Sequence, residues 1–332
     1  MKELQAILQQ LNAPNARPAV LATLVTVEGS SYRRPGARLI LTADGGRDGS
    51  ISGGCLEEDV LLRAREVAAT GRPDLALYDT TEENDLVWGT GLGCHGVVRV
   101  FLEPVPARPA WARRLAENLA AHRPTDLAVV WHAGAGVPAG TRLAADLASL
   151  PPDARVFRQT VKPAVPLVIF GAGDDARPLA RLAREIGWQV TVADPRPAFP
   201  TAERFPEATR RICAPAEELV QQAAPPPDAA VVVMTHHYVH DRPLPGALLA
   251  RPLAYLGLLG PRQRAEKILR DLAADGVAVT PEMRRRLRAP VGLDLGAEVP
   301  EEVALAILAE IQATLARRDG RPLRERTGPI HG

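Results

Sequence analysis

Cys55 follows two glycines in Gly49-Ser50-Ile51-Ser52-Gly53-Gly54-Cys55-Leu56-Glu57, and this stretch carries the most explicit chemistry in the chain. Glycine permits backbone angles that other residues avoid, and it lets a ligand approach the main chain. From Leu56 onward the apolar residues Leu56, Val60, Ala64 and Val67 recur at helical spacing, so Cys55 is expected at a helix N-terminus. Free N–H groups at such a terminus favour an anion or a thiolate. Glu57, Glu58 and Asp59 fill the first turn, where they suit the helix dipole but oppose a thiolate. Two readings stay open on this pattern alone: an inert thiol buried behind a tight turn, or a thiol that faces a ligand.

Cys94 and His95 lie in a second glycine loop, Thr90-Gly91-Leu92-Gly93-Cys94-His95-Gly96. Arg33 and Arg34 lie in a third, Glu28-Gly29-Ser30-Ser31-Tyr32-Arg33-Arg34-Pro35-Gly36. If the three loops converge, they offer two soft sulfur ligands, an imidazole and two guanidinium groups.

The elements that would position these loops can be read from pattern. Residues 1–12 predict an amphipathic helix striped by Leu4, Ile7, Leu8 and Leu11. Strands are expected over residues 18–27, 38–42, 75–80 and 97–102, with a turn at Asp44-Gly45-Gly46. The prolines between Glu103 and Pro109 suggest a joint. A helix over 111–121 and strands over 127–131 and 154–160 follow. Pro163 and Pro166 then interrupt regular structure before a new pattern.

That new pattern is strand, glycine turn, helix, strand. Residues 167–170 form an apolar strand, and Gly171-Ala172-Gly173-Asp174-Asp175-Ala176 is a G-x-G-x-x-A turn. Leu179, Leu182, Ala183 and Ile186 stripe a helix that Gly187 ends, and residues 189–193 lead to Asp194. This is the order of a dinucleotide-binding βαβ unit, with its acidic residue about 20 positions on. Asp174 and Asp175 stand where a pyrophosphate would meet the helix, so the alternative is a fold whose glycines serve packing. A strand over 229–234 leads into Thr235-His236-His237-Tyr238-Val239-His240-Asp241, read as a loop at the carboxyl end of the sheet. A strand over 255–259 precedes Gly260-Pro261-Arg262, a helix start with proline at its first position and a candidate phosphate site with Arg264. Residues 291–296 read as a turn-rich strand, and Pro300 opens a long helix striped by Val303, Ile307, Leu308 and Ile311. The expected division is 1–162, 163–318 and a charged, aperiodic mobile tail over 319–332.

Composition narrows the field. A chain of 332 residues with formal charge +1 gives no bulk electrostatic argument for nucleic acid or an anionic membrane. Cys55, Cys94 and Cys213 are too few for a disulfide framework or a four-cysteine zinc site. No signal-peptide core or membrane-length apolar run is present, so the expected setting is the cytoplasm, with free thiols.

Taken together, these motifs resemble the XdhC/CoxI family, the accessory proteins of xanthine dehydrogenase-type molybdenum hydroxylases. The residues that carry the resemblance are Gly29 to Gly36, Gly53 to Glu57, Gly91 to Gly96, Phe170 to Gly173, Thr235-His236 with Asp241, Gly257 to Arg262, and Pro290 to Gly296 followed by Pro300-Glu301-Glu302. The resemblance implies an α/β protein: a small N-terminal α+β XdhC/CoxI domain, then a Rossmann-like doubly wound parallel sheet. It implies binding of molybdenum cofactor (molybdopterin) as cargo, help with its sulfuration and insertion, a hydroxylase client, a cysteine desulfurase as further partner, and a homodimer. The implied cofactor-contacting residues are Cys55, Gly53, Gly54, Cys94, His95, Arg33, Arg34, Gly171, Gly173, Asp194, His236 and Arg262, with Cys55 and Cys94 toward the metal. Three positions depart from the family pattern: His95 for a common glycine, Asp174-Asp175 for a histidine and a small residue, and Pro261 for a common serine. Two other readings compete. One is an NAD(P)-dependent oxidoreductase using Asp194, with His236 as acid–base. The other is a thiol or nucleotide sensor.

Overall fold

The apolar run after Pro18 is buried on both faces because it becomes β1 (Ala19–Gly29), the middle strand of a five-stranded antiparallel sheet. The computed structural model describes residues 2–79, 96–133, 137–147, 151, 153–237 and 242–327. Two compact units divide the chain, Met1–Pro163 and Ala164–Gly332.

In the first unit, β2 (Arg38–Thr42), β3 (Arg47–Gly49), β4 (Asp74–Asp79) and β5 (Gly96–Val105) join β1 in the order β3-β2-β1-β5-β4. Successive side chains of a strand point to opposite faces. Val20, Ala22 and Leu24 therefore pack with Val60, Ala64 and Val67 of α2 (Glu57–Thr70), whose helical stripe was legible in the sequence. Ala19 and Leu21 face the other way. There they meet α1 (Lys2–Asn12), α3 (Ala110–Ala120) and a second sheet ordered β7-β6-β8, made of β6 (Thr125–His132), β7 (Gly140–Leu143) and β8 (Arg155–Val161).

The joint expected between Glu103 and Pro109 is displaced, because β5 runs through Val105. Pro104 pairs with Val20 of β1, whereas β4 stops opposite Leu102, so the missing proline N–H breaks no ladder on that side. Glu103 is buried and accepts hydrogen bonds from the Thr141 amide (2.8 Å) and hydroxyl. Burial pushes its carboxyl up from the usual range, and the Thr141 bonds and the Arg38 charge only partly offset this.

The second unit is built on β9 (Pro166–Phe170), β10 (Gln189–Asp194), β11 (Arg210–Cys213), β12 (Ala230–Val233), β13 (Tyr255–Leu258) and β14 (Leu287–Arg288). All neighbouring strands are parallel, in the order β11-β10-β9-β12-β13-β14. This is the order of doubly wound dinucleotide-binding sheets. One face is covered by α4 (Ala176–Glu185) and α9 (Pro300–Leu315), the other by α5 (Ala216–Ala223), α6 (Pro243–Leu249) and α7 (Arg262–Ala274). A short α8 (Pro281–Arg286) precedes β14. Among the described residues no helix is long and apolar enough to cross a membrane.

Some expectations change here. Residues 291–296 form no strand: Gly292 and Gly296 take φ of +106° and +69°, and the Gly292 amide turns to the Glu310 carboxylate (2.8 Å). Ile186 leaves the helical stripe, because α4 ends at Glu185 and Ile186 is exposed. Pro261 is the residue before α7 and not its first member.

Candidate functional site

The antiparallel register sends three loops of the first unit off the same end of one sheet. Gly29, the end of β1, lies opposite Gly96, the start of β5. Asp79, the end of β4, lies opposite Val97. Gly49, the end of β3, lies opposite Leu39, next to the start of β2 at Arg38. The roots of the arginine loop, the Cys55 loop and the Cys94 loop are thus neighbours. Cys94 and His95 themselves lie outside the described residues. Gly96 is glycine for a steric reason, since a Cβ there would sit 2.1 Å from the Ser30 carbonyl oxygen.

The Cys55 loop is held from below by two side chains. Glu57 is buried, and its Oε1 accepts the amides of Ile51 (3.1 Å) and Ser52 (2.8 Å), while its Oε2 accepts the Ser52 hydroxyl. The Ser52 oxygen in turn accepts the amides of Gly54 and Leu56, both at 3.1 Å. Burial alone would push the Glu57 carboxyl up, but the bonds from Ser52 and Ile51 outweigh it and the net shift is downward. Glu57 is therefore more than a dipole-matching residue of the first turn: it latches the loop. Sequence reasoning missed this role, although a glutamate at the first helical position beside a serine and two glycines is a signal for it.

The latch leaves the tip outward. Gly53, Gly54 and Cys55 are exposed, and Gly54 takes φ of +118°, a conformation that side chains disfavour. The buried-thiol reading of Cys55 is thereby excluded. The latch also uses the amides of Ile51, Ser52, Gly54 and Leu56, so these four are not available to an anion.

The arginine loop rests against this one. A Cβ on Gly53 would lie 3.5 Å from the Tyr32 ring, and Tyr32 is exposed. Arg33 donates to Ser50 Oγ (3.1 Å) and forms an ion pair with Glu3 of α1. Hydrogen bonding to Glu3 raises the Arg33 pKa further above its ordinary value. Arg33 thus fastens the loop, while Arg34 is exposed.

In the second unit the residues picked out by sequence gather at the carboxyl ends of the parallel strands. Gly171 and Gly173 follow β9, Asp194 ends β10, His236 follows β12, and Arg262 opens α7 after β13. Their contacts are with neighbouring residues of the same unit. Gly171 has φ of +113°, and a Cβ on it would lie 2.4 Å from the Met234 carbonyl oxygen, so it serves close packing. Asp194 is fully buried and accepts the Ala172 amide (2.7 Å), the Arg196 amide (2.9 Å) and two Arg196 guanidinium bonds (2.9 and 2.8 Å). Burial pushes its carboxyl up, and the Arg196 and Ala172 bonds more than reverse this, so its pKa falls. Asp174 pairs with Arg204 (3.0 Å), and Asp175 Oδ2 meets His236 Nε2. Two carboxylates stand where a dinucleotide's pyrophosphate would meet the helix, and the carboxylate that would hold a ribose is occupied by Arg196. His240 and Asp241 lie outside the described residues. Among the described residues no three His, Cys, Asp or Glu side chains cluster as a metal site would require.

Asp194→Ala would leave the Ala172 amide and the Arg196 guanidinium without their acceptor. With Arg196 partly exposed, the expected loss is about 2–3 kcal/mol in the stability of the second unit. The wild-type contribution is present above the carboxyl's ordinary value of 3.8 and is lost as pH falls through the depressed folded value. Denaturant titration of wild type and variant measures this, and coincident curves would remove Asp194 as an organiser of the crevice.

Comparison with known proteins bears on both units. The XdhC and CoxI family model matches residues 13–79, and that of the XdhC Rossmann domain matches residues 167–311. A protein of Bacillus subtilis described as a probable xanthine dehydrogenase subunit is 35% identical over 321 residues, covering 90% of this chain and 94% of the relative. The molybdenum cofactor insertion chaperone PaoD of Escherichia coli is 28% identical over 308 residues, covering 90% and 83%. A crystal structure described as a xanthine dehydrogenase from Bacillus halodurans superposes with a TM-score of 0.82 at 30% identity, covering 97% of this chain and 98% of that one.

Proposed function

The chain belongs to the XdhC and CoxI family, and on that premise we propose that it is a molybdenum cofactor chaperone for a xanthine dehydrogenase-type molybdenum hydroxylase. The observation that carries the reading is the Cys55 loop: a solvent-facing thiol on a two-glycine tip, latched from beneath by Glu57 and Ser52 and flanked by the arginine loop.

Molybdopterin presents a dithiolene-held metal at one end and a phosphate at the other. A thiolate is a soft ligand suited to the metal end. Cys55 is the thiol that the described part of the first unit offers, and Cys94 is the proposed second. One or two thiolates make a hold that can be released, whereas a closed cage would not pass its cargo on. Gly53 and Gly54 let the cargo approach the main chain. Arg34 and its neighbours face the anionic end.

Sulfuration of the metal would need a sulfur donor, and a cysteine desulfurase is the proposed partner. A homodimer is the proposed assembly. The second unit supplies Gly173, His236 and Arg262 as further candidate contacts. NAD(P) turnover is disfavoured by Asp174 and Asp175 at the glycine turn and by the pairing of Asp194 with Arg196.

Transfer tests this function. Chain loaded with molybdenum cofactor is mixed with a cofactor-free xanthine dehydrogenase-type enzyme, and turnover is followed. The expected result is activation that rises with the amount of loaded chain and exceeds that from the same quantity of released cofactor. Activation equal to that of released cofactor would contradict the proposal.

A further inference from the structure

A cleft of about 460 Å³ lies beside the arginine loop, entirely within the first unit. Its charged and polar lining includes Arg33, Arg34, Arg38, Lys162, Glu3 and Gln159. Four cations therefore face one carboxylate, and that carboxylate is taken up by Arg33.

Arg38 is the unusual member. It is 4% exposed, at the start of β2. Its Nη1 donates to the Gly36 carbonyl (3.0 Å) and to Gln159 Oε1 (2.9 Å). Its Nε and Nη2 are buried and have no hydrogen-bond partner among the described residues. Burial pushes its pKa down to about 10, and only the Glu103 charge opposes this. The Glu103 oxygens are engaged by Thr141 and lie on the inner side, not in the cleft lining. A buried guanidinium with two orphaned donors costs free energy unless something satisfies it.

We infer that this cleft is a phosphomonoester site, with Arg38 at its base and Arg34 and Lys162 at its mouth. A phosphate brings up to two negative charges and three acceptor oxygens, which match cations arriving from several directions. The cleft's volume is in the range of small-ligand sites, so it has room for more than the anion itself. Arg38 lines the cleft, so its charge acts on an anion seated there, beside the Gln159 side chain that its Nη1 already holds. Four amides of the Cys55 loop are already committed to Glu57 and Ser52, which leaves that loop less to offer an anion than the cleft does. Arg33 links the two places, since the same loop touches Ser50 on one side and lines the cleft on the other. Resting on the cargo reading above, the site is assigned to the phosphate end of the molecule whose metal end meets Cys55.

Isothermal titration of the full chain with inorganic phosphate, at fixed ionic strength, tests the site without any cofactor present. The expected result is saturable binding that sulfate competes for. It should weaken at least about 10-fold in the Arg34→Ala/Lys162→Ala double variant and be lost in Arg38→Met. Arg34 and Lys162 are exposed, so the double variant keeps the test valid if Arg38→Met fails to fold. Phosphate heats no larger than those of chloride, or a double variant that binds as wild type does, would overturn the site. Phosphate binding as expected, in a chain that retains no pterin when purified from a host that makes molybdenum cofactor, would support the site while removing the cargo reading. Cofactor retention in a chain with no phosphate affinity would overturn the site and leave the cargo reading in place.

Discussion

Glu57→Ala is expected to destabilise the first unit by about 3 kcal/mol and to release the Cys55 loop from its present shape. The substitution removes one acceptor group and strands three donors, the amides of Ile51 and Ser52 and the Ser52 hydroxyl. Ile51 and Ser52 are buried, so water does not readily replace the carboxylate. Unpaired buried donors cost about 1–3 kcal/mol each, but the loop can partly relax, which keeps the total near the cost of one or two. Glu57→Gln keeps an oxygen for the two amides and is expected to lose only about 1 kcal/mol. The pH dependence has a definite sign. Because the folded pKa is depressed, the latch contributes fully above the carboxyl's ordinary value of 4.5 and fails as pH falls through the folded value. Hydrogen exchange over residues 50–57, with denaturant titration, reads both effects. Unchanged protection of the Ile51 and Ser52 amides in Glu57→Ala would remove the latch.

Cys55→Ala is expected to reduce retention of molybdenum cofactor at least about 10-fold while leaving stability unchanged. The thiol is exposed and packs against nothing that a methyl group would disturb, so the loss is of a ligand and not of a fold. Even residues that only support a metal ligand typically cost 10–100-fold in affinity when removed, roughly the scale expected here. The arginine loop and the cleft remain in the variant, so phosphate affinity should persist where metal retention is lost. A variant that keeps its cofactor as wild type does would take the metal end away from Cys55.

Much of this arrangement was readable from residue pattern. The α2 stripe of Val60, Ala64 and Val67 placed Cys55 just before a helix, and the run after Pro18 announced the strand β1, though not its burial on both faces. The glycine turn, α4 and Asp194 marked the Rossmann sheet, and Asp174 and Asp175 already argued against pyrophosphate. What pattern could not supply was the direction of buried polar side chains. Glu57 reads as one of three acidic residues in a first turn, and only tertiary contact separates it from exposed Glu58. Nothing in the pattern singled out Arg38 or Glu103, since charge is normally outside, yet both are buried within the first unit. The exposed arginines of β11 hid an edge strand, and the short helices α6 and α8 carry too few turns for periodicity. Residues 291–296 alternate like a strand, but their glycines take positive φ and the Gly292 amide turns to Glu310 of α9.

The cargo carried by the purified chain is the most direct test of a cofactor chaperone. Wild-type protein, purified from a host that makes molybdenum cofactor, is assayed for pterin and for molybdenum. Both are expected, in equal amounts, with little of either in Cys55→Ala purified alongside. A wild-type chain free of pterin, with tight NADH binding and hydride transfer, would contradict the chaperone role.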